Sequence, residues 1–163
     1  MGNNDLKAYR NPSLKAILLS GLLAGTLDIT AAIIQAGIGG TGPLKLLQYV
    51  ASGIFGTAAF SGGVLFAFYG LVFHYFIAMC WTILFFLVYR KLDLLRYNRI
   101  MTGVFYGIFI GCIMNFVVVP LSEVPRGPVR LLSLVLAISI LIVAVGLPLS
   151  FLAHRFYSRT GKK

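Results

Sequence analysis

Hydrophobic positions dominate this chain in four long runs, 14–38, 63–88, 100–121 and 129–153, separated by short stretches where glycine, proline and charge collect. A helix needs about 20 apolar residues at 1.5 Å rise to cross a hydrocarbon core about 30 Å thick. Each run meets that length, so the pattern predicts four membrane-spanning helices. The expected fold is all-α: a polytopic, antiparallel four-transmembrane-helix bundle forming a single integral membrane domain over 1–163. Before the first run, Asn11 or Ser13 is placed to cap the helix and Pro12 fits its first turn.

Between the first two spans the pattern changes. The cluster from Gly37 to Pro43 ends the first helix. From 44 to 56, Leu47, Val50, Ala51, Ile54 and Phe55 recur at helical spacing, with Lys45, Gln48 and Ser52 on the opposite face. This amphipathic segment is too short to span; the pattern leaves open whether it lies in the outer interface or re-enters the membrane. The small-residue stretch from Ala51 to Gly63 permits close backbone approach. The turn of about ten residues between the second and third spans predicts antiparallel neighbours. Gly146 and Pro148 predict a kink in the fourth span.

Composition agrees with lipid as the solvent: 59% of the residues are hydrophobic, 11% are charged, and the mean hydropathy is +0.92. A soluble domain with a hydrated surface is excluded. The net charge of +10 follows topology, and no nucleic-acid partner is expected. With the N-terminus inside, Lys7, Arg10, Lys15, Arg90, Lys91, Arg96, Arg99, Arg155, Arg159, Lys162 and Lys163 are cytoplasmic, eleven of the 14 basic residues. Lys45, Arg126 and Arg130 fall outside. That asymmetry predicts both termini in the cytoplasm. The first run, carrying an acidic residue, reads as an uncleaved span, and the N-terminal sequence implies no lipid anchor.

Asp28 is the one acidic residue within a span. A carboxyl near the centre of an inserted helix costs roughly 2.5–3.5 kcal/mol on insertion scales, so it needs partners or a wet surface. Gly21, Gly25, Asp28, Ala32 and Gln35 share one face of the first helix. Gly103, Gly107, Gly111 and Asn115 do so on the third, and Gly63, Ala67, Gly70 and His74 on the second. Small residues at this spacing let helices pack closely in lipid. Counted from the cytoplasmic ends, Asp28 lies about 18 Å deep, His74 about 21 Å, Asn115 about 22 Å and Ser139 about 20 Å. A polar centre of Asp28, His74, Asn115 and Ser139, with Gln35 above it, is therefore expected. It has two readings: Asp28 and His74 exchange a proton or hold a small solute, or Asp28 is a hydrogen bond that fixes helix packing.

Other chemistry finds little support. Cys80 and Cys112 lie in different spans and no CxxC occurs, so neither a disulfide nor a metal site is expected. One intramembrane histidine does not make a haem site, no cofactor is implied, and His154 reads as an interfacial residue. Without GxSxG, HExxH or paired carboxylates, an enzyme is not expected.

Residues Gly25–Thr30, Ala51–Gly56, Ala59–Gly63 and Gly70–Ala78 carry an AGTLD, ASGxxG, AFxGG and GLxxH pattern. In these segments, within residues 18–90, the chain resembles a family of small uncharacterised bacterial integral membrane proteins. Tyr75 stands where that pattern has Phe. The resemblance implies a bacterial inner-membrane setting and draws attention to Asp28, Gly53, Gly62, Gly63 and His74; it supplies no reaction. The sequence thus supports a protein that conducts or couples a proton or small solute, as a homo-oligomer or alone in the lipid bilayer. The alternative is a structural or assembly subunit that docks on a larger membrane complex through its glycine faces.

Overall fold

The structure is a computed structural model that describes residues 13–92, 94, 97–125 and 131–160. It is all-α among these residues, with four helices long and apolar enough to cross a membrane and one shorter helix. Helix α1 is Leu14–Ile38, α2 is Pro43–Phe55, α3 is Gly63–Lys91, α4 is Arg99–Leu121 and α5 is Leu131–Ser158. This is a multi-pass membrane protein folded as an antiparallel four-span bundle.

The helix ends follow local chemistry. Ser13 caps α1, its hydroxyl accepting from the Ala16 N–H at 3.2 Å. Asn11 and Pro12, also expected near this cap, lie outside the described residues. Asn98 caps α4 through the Ile100 N–H at 2.8 Å. Pro43 occupies the first turn of α2, where its missing N–H costs nothing. A 3-10 turn, Gly56–Phe60, leads from α2 towards α3, and Gly56 and Gly63 both have φ of +58°, a left-handed conformation that glycine adopts without a β-carbon clash.

Two spans run longer than the hydropathy predicts. Helix α3 continues to Lys91 and α5 to Ser158, because no glycine or proline follows the apolar runs to break them there. With 29 residues α3 extends about 43 Å, more than the hydrocarbon core, so its ends reach the interfaces. Lys15, Arg90, Lys91, Arg99 and Arg155 mark one end of the bundle, the basic side; Lys45 and Glu123 mark the opposite side. Positions 129–130 of the predicted fourth span lie outside the described residues, as do Lys7, Arg10, Arg96, Arg126, Lys162 and Lys163.

Prolines shape α4 and α5. A π turn, Met114–Val118, precedes Pro120, and another, Leu141–Gly146, precedes Pro148. Proline lacks an N–H and its ring collides with the carbonyl four residues back, and a wider turn relieves both defects. The irregularity expected at Gly146 and Pro148 is thus a π turn.

Around the bundle, α1 packs on α3 and α5, and α5 packs on α4. The α4–α5 seam has a strict antiparallel register. A β-carbon on Gly103 would stand 2.9 Å from the Gly146 carbonyl oxygen, one on Gly107 2.5 Å from the Ile142 α-carbon, and one on Gly111 2.7 Å from an Ile138 side-chain carbon. The Ser150 hydroxyl donates to the Arg99 carbonyl at 2.7 Å, one step further in the same register. Helices α3 and α4, expected as antiparallel neighbours, meet across aromatic side chains. Tyr106 rings against Phe85 at 4.5 Å and Trp81 at 6.5 Å, and its hydroxyl donates to the Trp81 carbonyl at 2.6 Å. Bulk at Trp81, Phe85 and Tyr106 keeps these backbones apart; glycine lets α4 and α5 close.

Helix α2 docks on the opposite-side end of α3 with its polar face inward. Gln48, Ala51 and Ser52 are buried, while Ile54 and Tyr49 are exposed. Gln48 donates to the Gly63 carbonyl at 2.9 Å, and a β-carbon on Gly70 would collide with the Leu47 carbonyl oxygen. Phe55 packs on Phe66 at 5.0 Å between ring centroids. The Glu123 N–H donates to the Gly53 carbonyl at 3.1 Å, tying the end of α4 to α2.

Candidate functional site

The site is built where α1 and α3 cross. Gly21 and Gly25 leave room for α3: a β-carbon on Gly25 would stand 3.1 Å from Ala78 and from the Tyr75 ring, and one on Gly21 2.8 Å from the Met79 sulfur. Close approach lets two side chains stitch the helices. His74 Nε2–H donates to the Gly25 carbonyl at 2.9 Å, and Thr26 and Tyr75 share a hydroxyl hydrogen bond of 2.9 Å.

The His74 bond fixes its chemistry. A carbonyl oxygen only accepts, so Nε2 carries the proton and Nδ1 is the nitrogen left for a second partner. Asp28, one helical turn beyond Gly25, interacts electrostatically with His74. Among the described residues no hydrogen bond reaches the Asp28 carboxyl, and its residue is half-buried. Among the described residues no fully buried side-chain oxygen or nitrogen lacks a partner, so both Asp28 oxygens keep some accessible surface.

The remaining expected members are arranged differently. Asn115 lies six residues beyond Phe109, which rings against Trp81 at 6.0 Å, and His74 lies seven residues beyond Trp81, so the two are level. Asn115 Nδ2 nevertheless donates to its own helix at the Gly111 carbonyl, 2.9 Å. Ser139 is exposed and its hydroxyl donates to the Val135 carbonyl at 2.8 Å. The Gly111–Ile138 pairing puts Ser139 level with Ile110, about 7 Å nearer the basic side than Asn115. Counting depth from an end near Leu152 misplaces Ser139, because α5 runs on to Ser158 and contains a π turn. Gln35 is half-buried, further towards the opposite side on the Asp28 helix. The structure therefore places Asp28 one turn from the carbonyl that holds His74, sets Asn115 at the same level and Gln35 further along α1, and leaves Ser139 nearer the basic side.

Several polar contacts carry no sequence motif. Tyr75 and Thr26 are visible only once α1 and α3 are paired. On the basic side Tyr89 shares a 3.3 Å hydrogen bond with His154 Nδ1 and stacks on Tyr157 at 5.5 Å, so His154 is half-buried and partnered. Cys80 and Cys112 are free thiols, and no group of three metal-ligating side chains occurs among the described residues. No protein-family model, curated protein or solved structure matches this chain, so its own residues carry the functional reading.

Proposed function

We propose that this protein conducts or couples protons across a membrane, with Asp28 and His74 as the exchanging pair. One observation carries the reading: the Asp28 carboxyl, one turn beyond the Gly25 carbonyl that holds His74, keeps accessible oxygens and makes no hydrogen bond among the described residues. A carboxyl kept for packing would bond to the neighbouring helix. Here that task falls to His74 on the Gly25 carbonyl and to Thr26 with Tyr75. His74 Nδ1 is left to trade a proton with Asp28 through water. The coupled partner, where there is one, is a small solute; no enzymatic step is proposed.

The alternative, a subunit docking through glycine faces, has less support. Gly21, Gly25, Gly70, Gly103, Gly107 and Gly111 are occupied by helices of the same chain. The basic asymmetry and the family resemblance support placing the protein in a bacterial inner membrane with both termini cytoplasmic.

The test is proton flux into liposomes under an imposed potential, read by an internal pH dye. Asp28→Asn is expected to abolish protein-dependent flux. His74→Gln is the sharper variant, since a glutamine amide can still donate to the Gly25 carbonyl but cannot titrate; flux is expected to fall while the fold persists. Wild-type flux in Asp28→Asn overturns the reading.

A further inference from the structure

The two halves of the bundle are packed differently. On the basic side Phe85, Phe86, Tyr89, Tyr106, Leu149 and Tyr157 are all buried, five of them at 1% exposure or less. Their polar atoms are spent: Tyr106 donates to the Trp81 carbonyl, Tyr157 to the Phe86 carbonyl at 3.3 Å, and Tyr89 pairs with His154. The buried hydroxyls nearby are spent as well, Thr82 on the Ala78 carbonyl, Thr102 on the Asn98 carbonyl and Ser150 on the Arg99 carbonyl. Nothing in this layer invites water.

Beyond Asp28 and His74 the packing loosens. No residue of Met114–Leu121, of 131–134, or of α1 from Thr30 to Ile38 is buried. On α3 the buried positions of that half, Ala67 and Gly70, belong to the part where α2 docks. Asp28, His74, Asn115 and Gln35 are half-buried here, spaced towards the opposite face.

We propose that the aromatic layer plugs the bundle on its basic side and that the opposite half admits water, so that in this conformation Asp28 and His74 exchange protons with one aqueous phase alone. The inference rests on the proton reading for its purpose, though not for its geometry. It makes Phe85, Phe86, Tyr106 and Tyr157 the gate that a transport cycle has to open. It also assigns Tyr106 a positioning role: its hydroxyl holds α4 to α3 across the aromatic side chains between them.

Sided labelling of full-length protein in membrane vesicles tests this. In a background with Cys80→Ser and Cys112→Ser, Ala32→Cys sits one turn beyond Asp28 on the same face, and Lys91→Cys reports the basic side. A charged, membrane-impermeant thiol reagent is expected to reach Ala32→Cys at least roughly tenfold faster from the side where Lys91→Cys does not react. Equal or faster labelling from the basic side overturns the plug, and no labelling from either side overturns the open half. Phe86→Leu, a mild change, is expected to raise labelling of Ala32→Cys from the basic side while Tyr157→Phe in the same background tests the hydroxyl alone. An unchanged rate in both, alongside labelling from the basic side, also counts against the gate. Infrared deuterium exchange of the Asp28 carboxyl, assigned against Asp28→Asn, separates the two ideas: a carboxyl that never exchanges ends the proton reading even where the sided labelling holds.

Discussion

At the scale of single residues, Gly25 determines what the site can be. It has no side chain, so α3 approaches closely enough for His74 to reach a backbone carbonyl that an ordinary residue would cover. Gly25→Leu is expected to push α3 away and lower proton flux by roughly a hundredfold, the size of loss that a misplacement near 1 Å produces in a reacting pair. Tyr75→Phe is the contrasting change. It removes the hydroxyl shared with Thr26 but leaves the ring against Gly25, at a cost of about 0.6 kcal/mol, typical of hydrogen bonds inside membranes. Flux and pH dependence close to wild type are expected, and a large loss in Tyr75→Phe would move Tyr75 from a brace to a proton carrier. Asp28 and the glycine steps can be read from the sequence because a charge in an apolar run and a four-residue period are local signals. Thr26 with Tyr75, and Tyr89 with His154, depend on which helices become neighbours, and no local pattern encodes that.

At the scale of elements, sequence and structure part where proline and bulk decide the geometry. The four spans follow from run length alone, yet hydropathy carries no information about which spans touch. The glycine series on α4 faces α5 because Ile138, Ile142 and Gly146 repeat on the same period in the opposite direction. A leucine at Gly107 would drive into the Ile142 backbone, and Gly107→Leu is expected to destabilise the bundle by about 1–3 kcal/mol, measured as a lower unfolding temperature in detergent. Pro148 offers a less intuitive test. Alanine in a helix interior is favoured over proline by about 3 kcal/mol, but here it would let the π turn Leu141–Gly146 close into an α-turn and rotate everything beyond it. That rotation breaks the alignment of Gly146 with Gly103 and of Ser150 with the Arg99 carbonyl. Pro148→Ala is therefore expected to unfold at a temperature no higher than wild type; a clear gain would mean that the π turn is a by-product of proline and not part of the seam. Helix α2 makes the same point differently: its polar stripe suggests contact with water, but Gln48 and Ser52 turn inward because the Gly63 carbonyl needs a donor and lipid surrounds the rest.

At the scale of the whole molecule, charge and packing run along one axis. The basic residues gather at the end where the aromatic layer is tight, and the loosely packed half points the other way. If the basic end is cytoplasmic, the open half faces outward and the pair at Asp28 and His74 samples the external pH first. The orientation itself is open to a direct check. A fluorescent protein joined after Lys163 is expected to fluoresce in cells, and alkaline phosphatase at the same position to be inactive, because one needs the cytoplasm and the other the oxidising side. Insertion of the same reporters after Glu123, between α4 and α5, should give the reverse pattern. Reporters that agree on an external C-terminus would turn the molecule over and place the aromatic layer as the outer gate, leaving the contacts among Asp28, His74 and Gly25 unchanged. The direction of coupling therefore depends on topology, and the chemistry of the pair depends on how α1 meets α3, so each can fail without the other.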